Sequence, residues 1–168
     1  QENQELVINA DVTDCEFARI IAQTAYKHKA KKVTIMWRDE LFTKLRYENE
    51  DLENLVNISQ YQIDERNYAV EKNAAYLCIL SEDPNLMKDV SPKILSETSK
   101  AKNIAFQKFY DASMKNQIRW NLIAIPSVSW EKTVFPELAE EDAVNKLWDY
   151  IFKTMRLDKD NPIAEWKN

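Results

Sequence analysis

The sequence predicts an α/β fold: a single domain with a mostly parallel sheet of four or five strands, covered by helices on both faces. Three observations carry this expectation. Four short apolar runs, Leu6 to Asn9, Val33 to Met36, Tyr76 to Leu80 and Leu122 to Ile125, lack the apolar–polar alternation of a half-solvated strand and so read as strands buried on both sides. Between them, apolar positions recur at three and four residues, the period of a helix with one buried stripe. Finally, 168 residues and 19.8 kDa suit one domain, which at this size buries roughly two-thirds of its unfolded surface. Strands alternating with helices form right-handed βαβ units, and these place helices on the faces of a parallel sheet.

The first strand runs into Thr13-Asp14-Cys15-Glu16, which has the spacing of a capping box with Thr13 as N-cap and Glu16 reaching back. In the helix that follows, Phe17, Ile20, Ile21, Thr24 and Ala25 form the expected core stripe, and the helix ends near His28. Lys32 to Trp37 is rich in β-branched residues and reads as the second strand, ending in Arg38-Asp39-Glu40. Helical segments are expected over 40–47 and 61–73, with a polar connection between them. Ala75 to Leu80 reads as a central strand, because it is uninterrupted and enters the turn Ser81-Glu82-Asp83-Pro84. Ser91 as N-cap and Pro92 at the first helical position open one long helix, whose Ile94, Leu95, Thr98, Ala101, Ala105 and Phe109 carry its apolar face to about Lys115. The fourth strand, from Trp120, is stopped by Pro126; a short turn around Trp130 leads to Phe135-Pro136. The last helix starts near Ala139, where Glu140, Glu141 and Asp142 suit the positive end of the helix dipole and Val144, Leu147, Trp148, Ile151 and Met155 make its buried stripe.

Composition excludes several classes of function. The net charge of -5 comes from interleaved signs, so no broad basic face is available for phosphates, and nucleic acid is not expected as a partner. No apolar run approaches the roughly 20 residues needed to cross a bilayer, so no membrane association is expected, and a cytoplasmic setting is. Cys15 and Cys78 have no Cys or His at ligand spacing and read as small buried hydrophobes. The chain contains no glycine, which excludes the phosphate-cradling loops that need backbone approach without a Cβ. It also leaves helix exits without their usual left-handed residue, so His28 or Lys29 is expected to take positive φ.

Candidate chemistry is sparse. His28 is the only histidine and stands beside lysines at a helix exit; the acidic groups at 48–53 and 140–142 fall where carboxylates are usually solvated. No catalytic and no metal-ligating residue is therefore assigned, and no cofactor is expected in this chain. One functional edge stands out. Trp37, Arg38 and Asp39, and Pro126 with Ser127, follow predicted strands, and open parallel sheets use the region beyond the carboxyl ends of their strands for ligands or partners. These five residues are read as an interdomain or ligand edge, with a contact surface for another domain preferred.

A family likeness runs through the whole chain. It is carried by Ala25-Tyr26 with Ala30-Lys31-Lys32-Val33, Trp37 with Asp39, Arg66-Asn67-Tyr68, Asp83-Pro84-Asn85-Leu86, Arg119-Trp120-Asn121, Pro126 with Trp130, Val134-Phe135-Pro136, Glu140-Glu141 with Leu147-Trp148, and Pro162 with Trp166. In this order they resemble the N-terminal half of two-metal aminopeptidases of the aminopeptidase T type. The resemblance implies a cytoplasmic, homodimeric parent enzyme that removes N-terminal residues from peptides. It implies two divalent ions, zinc, cobalt or magnesium, that polarise the scissile carbonyl and activate a water. In that family the metal ligands lie in a C-terminal catalytic domain, so the resemblance makes 1–168 a non-catalytic N-terminal domain whose partner is that missing domain. Lys29 departs from the family, where glycine is common at this helix exit. The other reading of the same residues is a stand-alone α/β module that binds a small ligand or a protein at its strand carboxyl ends.

Overall fold

The computed structural model describes residues 2–167, and among them four strands form one all-parallel sheet in the order β2-β1-β3-β4. The strands are β1 (Glu5–Asp11), β2 (Lys32–Arg38), β3 (Ala75–Leu80) and β4 (Trp120–Ala124). All four predicted runs form strands, but β4 ends at Ala124, short of Ile125, and is exposed over Trp120 to Leu122 rather than buried on both sides, as the last strand at the edge of the sheet. β1 lies in the middle because it buries both faces: Val7, Ile8 and Ala10 are fully enclosed. Its register sets Glu5 against Lys32 and Asp11 against Arg38 on one side, and Leu6 against Ala75 on the other. β1 and β2 each run past their apolar stretch, so Asp11 and Arg38 close the ladder as a polar tip.

The helices in chain order are α1 (Cys15–Lys27), α2 (Glu40–Asn49), α3 (Leu52–Val56), α4 (Gln60–Glu71), α5 (Pro92–Ala105), α6 (Gln107–Met114), α7 (Val128–Val134), α8 (Glu140–Thr154) and α9 (Pro162–Glu165). The step from β1 to β2 goes one way along the sheet, whereas the steps to β3 and β4 go the other. Right-handed crossovers therefore put α1 on one face and the helices between β2 and β4, α2 to α6, on the opposite one. On that opposite face Val7, Met36 and Tyr76 of the sheet pack with Ala69 of α4 and Phe109 of α6. Tyr76 and Phe109 meet edge to face at 4.8 Å.

Contacts divide the chain into two compact units. The first runs through Ile79 and resumes over Leu86–Ile123; the second comprises Leu80–Asn85 and the chain from Ala124 onward. In the second unit α7 packs on α8, where Leu147 of the predicted stripe is buried and Val144, Trp148, Ile151 and Met155 are half-buried, while Ala143, outside that stripe, is buried as well.

Local expectations fared unevenly. The capping box at Thr13 does not form, because Asp11 Oδ1 accepts from both the backbone N (3.0 Å) and Oγ1 (2.8 Å) of Thr13 and winds 12–14 into a 3-10 turn ahead of α1. Glu16 pairs with Arg19 instead. The box that does form is Ser59 with Gln62 at the start of α4. On α1 the buried position is Ala18, while Ile20 faces solvent. The long helix expected from Pro92 to Lys115 is two helices, broken at Phe106, whose φ of -100° and ψ of 14° interrupt the ladder. The break lets the rings of Phe106 and Phe109 both face the Arg66 guanidinium, at 5.8 and 4.5 Å.

Helix exits solve the lack of glycine with strained residues. Lys29, Asn73, Asn116 and Arg156 take φ of 60°, 48°, 53° and 58°. Each directly follows the C-cap of α1, α4, α6 or α8. After α1, Lys29 N donates to Tyr26 O (2.9 Å) and Ala30 N to Ala25 O (3.0 Å), the paired bonds of a Schellman motif. The same pair recurs at Asn73, Asn116 and Arg156. The expectation of positive φ at His28 or Lys29 is met by Lys29.

Candidate functional site

The carboxyl ends of β1 and β2 are built around buried polar groups. Asp11 is buried, and besides holding Thr13 it accepts from Glu40 N through Oδ2 at 3.1 Å, which ties the start of α2 to the end of β1. Asn9, two residues earlier on the same strand face, donates from Nδ2 to Met36 O at 3.3 Å. Arg38 reaches across β1 to β3, donating from one guanidinium nitrogen to Ile79 O at 2.7 Å and from another to Cys78 Sγ at 3.6 Å. These bonds satisfy backbone and side-chain groups that would otherwise be stranded near the sheet end.

Of the five residues expected at a functional edge, three belong to this tip. Arg38 is committed to β3. Asp39 is the N-cap of α2 and accepts from Phe42 N at 2.8 Å. Trp37, next in line, is 45% exposed. The other two lie in the second unit: Pro126 is half-buried, and Ser127 is the N-cap of α7, accepting from Trp130 N at 3.3 Å. Capping accounts for Asp39 and Ser127 without any ligand.

Sequence reasoning missed the buried carboxyls. Asp11 looks like an ordinary strand-end residue, although its place two residues before a threonine fits an Asx turn. Glu131 of α7 is fully buried, and neither Oε1 nor Oε2 has a hydrogen-bond partner. Burial, reinforced by the charge of Glu140, pushes its pKa up from the ordinary carboxylate value, while Lys132 opposes this. The Tyr76 hydroxyl, enclosed beneath α4 and α6 and contacted by Arg66, is pushed up to about 12, chiefly by burial.

These groups do not converge into a catalytic set. Among the described residues, no three His, Cys, Asp or Glu side chains are placed to hold a metal ion. Cys15 and Cys78 are free and half-buried rather than fully enclosed. His28 is exposed beside Lys27 and Lys29. A hollow of about 270 Å³ at the amino ends of the strands is lined by Glu2, Glu5, Lys31, Lys72 and Arg119 among others, a surface of mixed sign. No helix of the described residues is long and apolar enough to cross a membrane.

Comparison with known proteins adds what the geometry lacks. The family described as thermophilic metalloprotease (M29) matches residues 1–168. Aminopeptidase 2 of Geobacillus stearothermophilus is 34% identical over 167 residues, covering 99% of this chain and 40% of that protein. Aminopeptidase AmpS of Bacillus subtilis is 31% identical over 168 residues, 100% of this chain and 41% of that protein. Among solved structures, wild-type AmpT from Thermus thermophilus superposes with a TM-score of 0.88 at 26% identity, over 99% of this chain and 41% of that one. The chain thus spans about two-fifths of the length of the curated relatives it matches.

Proposed function

Because this chain belongs to the thermophilic metalloprotease (M29) family, we propose that residues 1–168 are the non-catalytic N-terminal domain of a metal-dependent aminopeptidase that removes N-terminal residues from peptides. The observation that carries the reading is the match itself: aminopeptidases align with the whole chain, yet it spans only two-fifths of them. The donor chemistry fits this division. A two-metal hydrolase needs several convergent carboxylate or imidazole ligands and an open position for water, and the described residues bring no such group together. The two divalent ions, zinc, cobalt or magnesium, belong in this reading to residues beyond the chain, and the parent is a cytoplasmic homodimer.

At the strand carboxyl ends the domain's contribution is shape and support. Arg38, Asp39 and Ser127 hold the fold, which leaves exposed Trp37 as the residue of that edge free to meet a partner. The test is release of a chromogenic amine from a leucine derivative with added cobalt, zinc or magnesium, run on the 168-residue chain and on its full-length gene product. The full-length product should turn over and lose that activity to a chelator, while the chain alone matches a trace-metal blank. Chelator-sensitive turnover that follows the isolated chain through purification would overturn the division. Absence of turnover from both would favour the stand-alone binding module.

A further inference from the structure

The helix α2 is inside out. Its inward side is polar: Thr43, Lys44, Arg46 and Tyr47 are half-buried, Arg46 is forked onto Glu50 at 2.6 and 3.0 Å, and the Tyr47 hydroxyl accepts from Lys102 of α5 at 3.1 Å. Its outward side holds Leu41, Phe42 and Leu45, exposed by 64%, 58% and 55%. Isolated exposed leucines need no explanation, but a helix that turns its large apolar groups to solvent and its charged ones inward does.

We propose that this face of α2 is the docking surface for the catalytic region of the same polypeptide; this rests on the reading of the chain as the N-terminal part of a longer metallopeptidase. Length and area select that occupant. The solved relative shares this fold over 99% of the present chain, and carries about three-fifths of its own length beyond it. Three side chains, each more than half exposed, offer on the order of 350 Å² of apolar surface, taking about 150–250 Å² for a fully exposed large side chain. That is below the ~800 Å² per partner of a stable association between separate molecules. It suits an interface inside one chain, of about 600–1,500 Å² in total, where tethering replaces affinity with a high effective concentration.

The experiment compares amide hydrogen exchange over residues 40–49 in the 168-residue chain and in its full-length gene product, at several protein concentrations. Exchange should slow by about tenfold or more in the full-length product, independently of concentration. Leu41→Ser with Leu45→Ser should restore fast exchange there, while leaving the circular dichroism of the 168-residue chain unchanged. A full-length product that is an active aminopeptidase but exchanges at 40–49 as fast as the short chain refutes the docking proposal and leaves the functional reading standing. Protection that grows with concentration assigns the face to a second copy and also refutes it. A full-length product without metal-dependent aminopeptidase activity removes the functional reading and the docking proposal together.

Discussion

Replacing Lys29 separates backbone strain from side-chain contacts at the exit of α1. Its φ of 60° costs an L-residue with a Cβ about 1–2 kcal/mol relative to glycine. Glycine gives back about 0.4–1 kcal/mol through its greater freedom in the unfolded chain. Lys29 Nζ also pairs with Glu2 at 2.7 Å, an exposed contact worth about 0.2–1 kcal/mol that any truncation loses. The informative comparison is therefore Lys29→Gly against Lys29→Ala, in which the ion pair is absent from both. Lys29→Gly should be the more stable by about 0.5–1 kcal/mol, or roughly 2 °C in melting temperature for a chain of this size. At Gln23, an exposed position inside α1, the same comparison should reverse, with glycine lower by about 1 kcal/mol. Urea unfolding followed by circular dichroism measures all four variants. If glycine at position 29 is no more stable than alanine, the exit is not left-handed in solution and the Schellman assignment fails.

Further outcomes follow from the buried polar groups. Glu131→Gln should stabilise the protein modestly at neutral pH, by up to about 1 kcal/mol, because it removes the buried charge while its amide still lacks partners there. The raised pKa means that the folded state holds this proton longer than the unfolded one, so wild-type stability should fall as pH rises from 4.5 through the folded value. Denaturant titrations across that range should show the fall in wild type and a weaker one in Glu131→Gln. Tyr76 behaves alike at the alkaline end: between its ordinary 10 and about 12 the unfolded chain loses the proton first, so roughly 2–3 kcal/mol should disappear over that interval. Tyr76→Phe should abolish that loss. Asp11→Ala should cost about 1.5–3 kcal/mol in urea unfolding, since Thr13 and Glu40 lose a charged acceptor.

What the sequence revealed of the fold was its periodicity. β1 and β3 could be found because each carries consecutive apolar residues, Leu6 to Ile8 and Ala75 to Leu80, and α8 because its stripe keeps the helical period. What it concealed depends on competition between neighbours. Thr13 and Glu16 have the spacing of a cap, but Asp11 lies closer to Thr13 and takes its donors first. Phe106 carries no breaker signature; the interruption comes from tertiary packing, in which two rings serve one guanidinium. Lys29 could be anticipated because the requirement for a left-handed residue is set by the backbone and remains when glycine is missing.

The candidate edge was legible only as a location. Trp37, Arg38 and Asp39 fall where a parallel sheet offers a site, yet pattern alone does not say which side chains the fold consumes. Leu41, Phe42 and Leu45 have the spacing of a core stripe, and from sequence a helix should turn them inward. Their direction is instead set by the start of the helix. Asp39 holds Phe42 N and Asp11 holds Glu40 N, so the first turn is fixed at two points and the helix cannot rotate about its axis without breaking a charged cap. With that phase, Tyr47 meets Lys102 and the apolar side faces out. Swapping the two sides, with Leu41 and Leu45 made polar and Thr43 and Lys44 made leucine, should therefore not rotate α2. The swapped chain should instead lose stability, because leucines would be forced among half-buried polar groups while the caps still hold. An unchanged melting temperature, with Asp39 no longer protecting Phe42 N from exchange, would mean that hydrophobic burial outweighs the caps in setting the phase.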